Sequence, residues 1–153
     1  MRSSEPKFLV YRSAKLAILL RILGFDTELI KEKDYEEAID IAKKEGRILL
    51  SRVKYLRKLP WIYFLKSDDA DEQLQQVMFH FQLHIDENKL FSRCSQCNSP
   101  LYKVEEEDIR AELPPVVLGK GYEFKKCECC NQCFWKGIHW VTLQDKLKRL
   151  NLV

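Results

Sequence analysis

The sequence predicts an α/β domain with a mostly parallel sheet, followed by a small metal-binding ribbon. Short apolar runs alternate with helical patterns three or four times before residue 90, and two C-x-x-C pairs come after it. Such alternation is typical of parallel strands joined by helices that cover the sheet. At 153 residues the chain can form one core plus a small module. We therefore expect an α/β domain at 1–89, a ribbon at 90–140 and an amphipathic tail at 141–153.

Four short segments predict the strands of the sheet, because they are rich in apolar, β-branched or aromatic side chains. They are Phe8 to Tyr11, Thr27 to Ile30, Arg47 to Ser51 and Trp61 to Leu65. In open α/β sheets, ligands bind outside the carboxyl ends of the strands. Functional residues are therefore expected where these four segments end.

Four further segments predict helices, from apolar residues at helical spacing and from the residues that flank them. They are Ala14 to Leu23, Tyr35 to Ala42, Val53 to Leu59 and Asp71 to Phe81. Ser13 and Asp34 are placed as N-caps of the first two helices. Gly24, Gly46 and Pro60 each follow a helical pattern and end it.

The composition indicates an intracellular protein without a membrane anchor. The longest apolar run, Leu16 to Leu20, is too short to cross a bilayer. No basic-then-apolar signal segment opens the chain, so we expect a cytoplasmic or nuclear location. The cysteines lie only in the C-terminal half, as one pair and one cluster, which suits a metal site better than disulfides.

Two C-x-x-C pairs predict a structural zinc site formed by Cys94, Cys97, Cys127 and Cys130. Each pair makes a tight turn whose amides support both thiolates, and two turns supply the four tetrahedral ligands that zinc prefers. Four sulfur ligands leave no position for water, so the zinc is expected to be structural and not catalytic.

The second cysteine cluster also allows Cys130 to pair with Cys133. We favour Cys127 with Cys130. Asn98 and Asn131 then each follow the last cysteine of a pair, and asparagine tolerates the left-handed conformation that this position needs.

Three residues near the zinc site have a second interpretation as ligands: Cys129, Cys133 and His139. Spare cysteines usually behave as small packing residues. His139 lies near Trp135 and Trp140, which favours an imidazole packed against an aromatic face.

A set of short motifs in a fixed order covers residues 7 to 141. They are Phe8 to Val10, Leu20 to Thr27, Glu45 to Leu50, Ser67 to Asp69, Glu72 to Leu74, Phe91 to Cys94, Cys97, Pro114-Pro115, Cys127, Cys130, Phe134 to Gly137 and His139-Trp140. Together they resemble the Mut-seven C-terminal RNase domain family. The resemblance implies a PIN-like nuclease fold fused to a zinc ribbon, at the C-terminal end of a longer 3′-5′ exoribonuclease. It also implies RNA cleavage by Mg²⁺ or Mn²⁺ held by carboxylates at the strand ends.

The chain departs from the family pattern at two of these carboxylates. The pattern has an aspartate directly after the first strand and another in a Thr-Arg-Asp motif after the third. The chain has Tyr11 and Val53 instead, and neither is a useful Mg²⁺ ligand. The remaining acids are Asp26, Asp34, Asp68 and Asp69. Because the last three can each cap a helix instead, we expect an inactive nuclease fold, with a residual metal-dependent nuclease using Asp34, Asp68 or Asp69 as the alternative.

The charge distribution predicts a surface for RNA. The net charge is only +3, but between Lys43 and Arg57 six basic residues stand against a single acid. Such a run is either a solvated face or a surface that binds phosphates. Loss of two carboxylates would make the cleft more positive, which favours a polyanion. The candidate contacts to single-stranded RNA of low sequence specificity are Arg12, Lys15, Arg47, Arg52, Lys54 and Arg57.

A protein-docking role is the second hypothesis. The tail places Leu143, Leu147 and Leu150 at helical spacing, with the basic residues Lys146, Lys148 and Arg149 opposite. Such a segment either packs back on the domain or binds a partner. The partner would belong to an RNA-processing or RNA-silencing assembly, in a ribonucleoprotein granule for example.

Overall fold

The computed structural model describes residues 5–54 and 58–153. Its strands and helices, in chain order, are β1 (Phe8–Tyr11), α1 (Ala14–Ile22), β2 (Thr27–Ile30), α2 (Tyr35–Glu45), β3 (Ile48–Ser51), β4 (Ile62–Phe64), α3 (Ala70–His80), β5 (Leu101–Val104), α4 (Glu106–Ile109), β6 (Phe124–Cys127), β7 (Cys133–Phe134) and α5 (Ile138–Arg149). Two 3₁₀ helices, Arg110–Glu112 and Pro115–Val117, lie between α4 and β6. No helix in the described ranges is both long and apolar enough to cross a membrane.

The first sheet is parallel throughout, in the order β2-β1-β3-β4. Side chains alternate across it, as they do in any strand. Phe8 and Val10 join a large core with α1, α3 and α5, whereas Leu9 and Tyr11 join a smaller core under α2. The predicted α/β fold with a parallel sheet and flanking helices is confirmed.

The helix ends follow the predicted capping pattern in two of three cases. The Asp34 carboxylate accepts a hydrogen bond from the Glu37 N–H at 2.9 Å, and α2 ends at Gly46 with φ of +66°. At α3, Asp69 accepts from the Glu72 N–H at 3.0 Å. Ser13 occupies the N-cap position of α1 but makes no side-chain capping bond.

The predicted helix Val53 to Leu59 is not present in the described part of this segment. Residues 53, 54, 58 and 59 are not helical, and residues 55–57 lie outside the described ranges. The Val53 N–H donates instead to the Ser51 hydroxyl at 2.8 Å. Side-chain hydrogen bonds of this kind compete with a helical start.

The second sheet is an antiparallel ribbon in the order β5-β6-β7. It has a small core of its own, formed by Ile109, Leu113, Val117 and Phe124. The segment leading into the ribbon passes so close to the end of α1 that a Cβ on Gly24 would lie 2.4 Å from the Lys89 carbonyl oxygen. Only glycine, here with φ of +95°, fits at this contact.

The C-terminal tail packs back on the α/β domain. Helix α5 begins at Ile138, before the predicted start of the tail, and Leu143 and Leu147 are buried in the large core. The Lys146 ammonium lies 3.1 Å from the Asp71 carboxylate of α3. The last helix therefore belongs to the same core as the parallel sheet.

Candidate functional site

The two C-x-x-C pairs form turns of the same design, which we call the first and second cysteine turns (residues 94–99 and 127–132). In the first, the Asn98 N–H donates to the Cys94 carbonyl at 2.9 Å, and in the second the Asn131 N–H donates to Cys127 at 3.0 Å. Asn98 and Asn131 have φ of +72° and +60°. The predicted left-handed asparagines are confirmed.

The turns bring four sulfur atoms together, from Cys94, Cys97, Cys127 and Cys130, all within 4.8 Å of one another. Two of the sulfur distances, Cys94 to Cys130 and Cys97 to Cys127, are 3.4 Å. A tetrahedral zinc ion with Zn–S bonds of about 2.3 Å separates its sulfur ligands by about 3.8 Å. The set fits a metal ion and is too far apart for disulfides, whose S–S bond is about 2.0 Å.

Burial and hydrogen bonding shift the pKa values of three of these thiols in different directions. It raises the pKa of the Cys94 thiol to about 12 and also raises the pKa of Cys127, whereas hydrogen bonds from Ser99 lower the pKa of Cys97 to about 6. Burial therefore favours the protonated thiol at Cys94 and Cys127. A divalent cation bound by the four sulfurs would supply the charge that ionises these two thiols.

The three other candidate ligands lie outside the cluster. Cys129 is exposed and accepts a hydrogen bond from the Ser99 hydroxyl at 3.2 Å. Cys133 lies in β7, with its sulfur 3.9 Å from a Glu112 carboxylate oxygen. His139 is exposed in the first turn of α5.

Asn98 bonds the first cysteine turn to the edge of the parallel sheet. Its Oδ1 accepts from the Thr27 N–H of β2 at 2.9 Å, and its Nδ2 donates to Asp26 at 2.8 Å and Glu28 at 3.0 Å. Arg21 of α1, which is 5% exposed, donates to the carbonyls of Thr27 and Ser95. Sheet and metal centre are thus joined by buried polar contacts.

Arg47, a predicted RNA contact, takes part in these contacts beside the first cysteine turn. It does not lie at the carboxyl ends of the strands. Its side chain is 9% exposed, at the start of β3, and pairs with Asp26 at 2.8 Å and Glu45 at 2.7 Å. Burial alone would raise the pKa of Asp26, but hydrogen bonds from Asn98 and Arg47 lower it overall. Both residues are therefore occupied in holding the fold.

A groove of about 690 Å³ lies at the carboxyl ends of β1 and β3, where residues from α1, α3 and α5 also meet. We call it the strand-end groove. Strand β1 lies between β2 and β3, so the chain order switches direction here. Such switch points are the usual ligand sites of open α/β sheets. The charged residues that line it are Arg12, Lys15, Arg52, Asp68, Asp69, Asp71 and Lys146.

Three of the predicted RNA contacts meet in this groove. Arg12 stacks its guanidinium over the Tyr11 ring, 4.8 Å from the centroid, and Arg52 donates to the Leu65 carbonyl at 3.1 Å. Lys15 is exposed. None of the three cations pairs with a carboxylate within the described residues. Lys54 is exposed but does not line the groove, and Arg57 lies outside the described ranges.

The acids near the groove are mostly engaged elsewhere. Asp69 caps α3, and Asp71 faces Lys146 at 3.1 Å and Arg149 at 3.8 Å. Asp34 caps α2 and does not line the groove. Asp68 is exposed at the rim. Among residues 5–54 and 58–153, the four-cysteine set is the one group of three or more potential ligands close enough to hold a metal ion.

The two positions where the family pattern has aspartate hold Tyr11 and Val53, which have no carboxylate. The Tyr11 ring is 5% exposed, and its hydroxyl donates to the Lys33 carbonyl at 3.0 Å. Val53 is 37% exposed. The two positions thus hold a packed phenol and an aliphatic side chain, and neither residue lines the groove.

The comparisons with known proteins agree with the motifs. The model of the Mut7-C RNAse domain matches residues 6–147. The human exonuclease mut-7 homolog is 30% identical over 106 residues, which are 64% of this chain and only 12% of that protein. No solved structure matches the chain. Because the family model spans nearly the whole sequence, the chain belongs to the Mut7-C RNAse domain family.

Proposed function

We propose that this domain binds single-stranded RNA in the strand-end groove without cleaving it. One observation carries the proposal, namely the three cations of the groove that have no carboxylate partner. Arg12, Lys15 and Arg52 lack carboxylate partners among the described residues, while Tyr11 and Val53 stand where the family pattern has aspartates. Unpaired cations attract phosphates, and a nuclease of this type needs carboxylates to hold its divalent metal ions.

The four-cysteine centre has a separate, structural role in this proposal. A zinc ion bound by four thiolates has no open position for water or substrate. Its function is to fix the first cysteine turn, whose Asn98 bonds to Thr27, Asp26 and Glu28.

We place the domain in a longer exoribonuclease that acts in RNA processing or silencing. The human exonuclease mut-7 homolog is named as an exonuclease, and this chain corresponds to 12% of its length. RNA held by phosphate contacts in the groove would be presented to an exonuclease centre elsewhere in the protein. Low sequence specificity follows, because phosphates carry no sequence information.

The test is binding of a labelled single-stranded RNA at low and moderate salt, with and without Mn²⁺, followed by a denaturing gel of the same RNA. Binding that weakens with salt and leaves the RNA intact is expected. Cleavage that depends on Mn²⁺ and is abolished by Asp68→Asn would establish the residual nuclease instead. Absence of binding at low salt would show that the basic residues form only a solvated face.

A further inference from the structure

A second concave surface lies between the ribbon and the start of α5. This ribbon cleft has a volume of about 710 Å³. Its walls come from the 3₁₀ helix Pro115–Val117, from β7 and from the first turn of α5. Several residues of the motifs that carry the family resemblance line it, and these residues are neither metal ligands nor part of the strand-end groove. They include Phe91, Arg93, Pro114, Trp135, Gly137 and His139.

The walls of the cleft are held by packing. Val117 is 8% exposed in the ribbon core, and Trp135 packs against Phe124 with ring centroids 6.0 Å apart. A Cβ on Gly137 would lie 2.9 Å from the Trp135 indole nitrogen, so the indole lies directly over this glycine. The concave shape is therefore built into the ribbon.

Two large aliphatic side chains stand at the rim without supporting the core. Val116 is 74% exposed and Ile138 is 77% exposed. They come from separate segments of the chain and line the same cleft. Apolar side chains gathered around a concave surface mark an interaction site more often than isolated ones do.

The charge of the cleft has one sign. Its charged lining residues are Arg93 and Lys120, and the described residues that line it include no carboxylate. Arg93 donates to the Asn98 carbonyl at 3.0 Å and lies 3.8 Å from the Asp26 carboxylate, whereas Lys120 is exposed and has no carboxylate partner among the described residues. Helix α5 has no acidic residue in its first turn and no side-chain cap, so its amino end adds positive character. This surface complements an anionic ligand that also carries apolar groups.

We propose that the ribbon cleft docks a peptide segment of a partner protein, with apolar anchors flanked by acidic residues. The aliphatic rim favours peptide side chains over nucleobases, since bases stack on open aromatic faces. Phe134 and Trp135 are only partly exposed, and Tyr122 at 36% exposure is far less open than Val116 and Ile138. The site is separate from the strand-end groove, and it does not depend on the RNA proposal.

The experiment is a selection from a random twelve-residue peptide library on the zinc-loaded chain. Enriched peptides should carry net negative charge and at least two apolar residues. Ile138→Asp should weaken the best peptide at least tenfold, because it places a carboxylate at the rim. Phe79→Asp is the matched control, since Phe79 is 58% exposed on α3 and does not line the cleft. Zinc content and circular dichroism verify that both variants are folded.

Three outcomes would overturn the proposal. The first is that the library yields no peptide that binds. The second is that the selected peptides lack an acidic bias, and the third is that Ile138→Asp and Phe79→Asp change peptide affinity equally. Loss of RNA affinity in Ile138→Asp, without any selected peptide, would assign the cleft to RNA. Replacing Arg12, Lys15 and Arg52 by alanine should leave peptide binding unchanged, which separates this result from failure of the RNA proposal.

Discussion

Asn98 serves both the metal centre and the parallel sheet. Asn98→Ala would lose three side-chain hydrogen bonds and place alanine at φ of +72°. We expect a loss of about 2 to 4 kcal/mol in the free energy of unfolding, because the Thr27 N–H is left unsatisfied and the left-handed conformation is costly for alanine. Urea unfolding of the zinc-loaded protein measures this loss.

Asn131→Ala is the control for this substitution. Asn131 is also left-handed, with φ of +60°, but its side chain is exposed and makes no hydrogen bond among the described residues. Only the conformational cost of about 1 kcal/mol is expected. Equal losses in the two variants would contradict the role assigned to the Asn98 side chain.

The register of the second cysteine turn gives the next prediction. Cys130→Ser should reduce bound zinc well below one ion per chain, because it removes a ligand from the four-sulfur set. Cys133→Ser should retain zinc, since the Cys133 sulfur lies outside that set. Metal analysis of the purified variants measures both, and the opposite pattern would reverse the register.

At the residue scale, local preferences were predictable and distant contacts were not. The cysteine spacing and the left-handed asparagines depend on a few neighbouring residues, so the sequence was enough to predict them. Arg47 was predicted as an RNA contact because it lies in a basic run. Its partner Glu45 is close in sequence, but its partner Asp26 is distant. Strand order decides that Asp26 lies beside Arg47.

At the scale of the elements, α5 is bound to the α/β domain by its buried leucines. Leu147 is 2% exposed in the core that α5 shares with the sheet. Leu147→Ala should lower the free energy of unfolding by about 2 to 5 kcal/mol, as large-to-small changes in a core do. Val141→Ala, at a side chain that is 55% exposed, should cost less than about 0.5 kcal/mol. A small effect of Leu147→Ala in urea unfolding would mean that α5 does not stabilise the core.

Periodicity and caps predicted most elements, and the exceptions have physical reasons. The strands of the parallel sheet, α1, α2 and α3 follow apolar patterns whose period matches their structure. The segment after β3 was predicted as a helix, but the Ser51 hydroxyl takes the Val53 N–H. Lys146 was predicted only as part of a basic helix face. Its position in the groove depends on α5 returning to α3, which no local pattern encodes.

At the scale of the whole molecule, the metal centre and the sheet should be coupled through Thr27. Zinc removal by a chelator should increase amide exchange at Thr27 by about tenfold or more, because its N–H donates to Asn98 in the first cysteine turn. The Leu65 amide is the internal control, since it donates to Ser51 at 2.7 Å, on the far side of the sheet. Hydrogen exchange measured by NMR distinguishes this coupling from global unfolding, in which both amides would exchange together.

The overall architecture was predictable because the two modules have different sequence signatures. Alternating strand and helix patterns predicted the parallel sheet, and paired cysteines predicted the ribbon. The joint between them was not predictable, since it is built from single polar residues such as Arg21 and Asn98 that come from distant segments. The boundaries at residues 90 and 141 stay a prediction, and α5 packs in the same core as the sheet.

RNA affinity measured against salt concentration decides whether the strand-end groove binds phosphates. One variant replaces Arg12, Lys15 and Arg52 by alanine. A control removes the same charge from exposed lysines elsewhere: Lys7, Lys103 and Lys148. The groove variant should bind RNA about tenfold or more weakly, and the slope of log K against log salt should fall by about 2, as expected for three lost phosphate contacts on a single strand. Equal effects in the two variants, or an unchanged affinity in the groove variant, would contradict RNA binding in the groove.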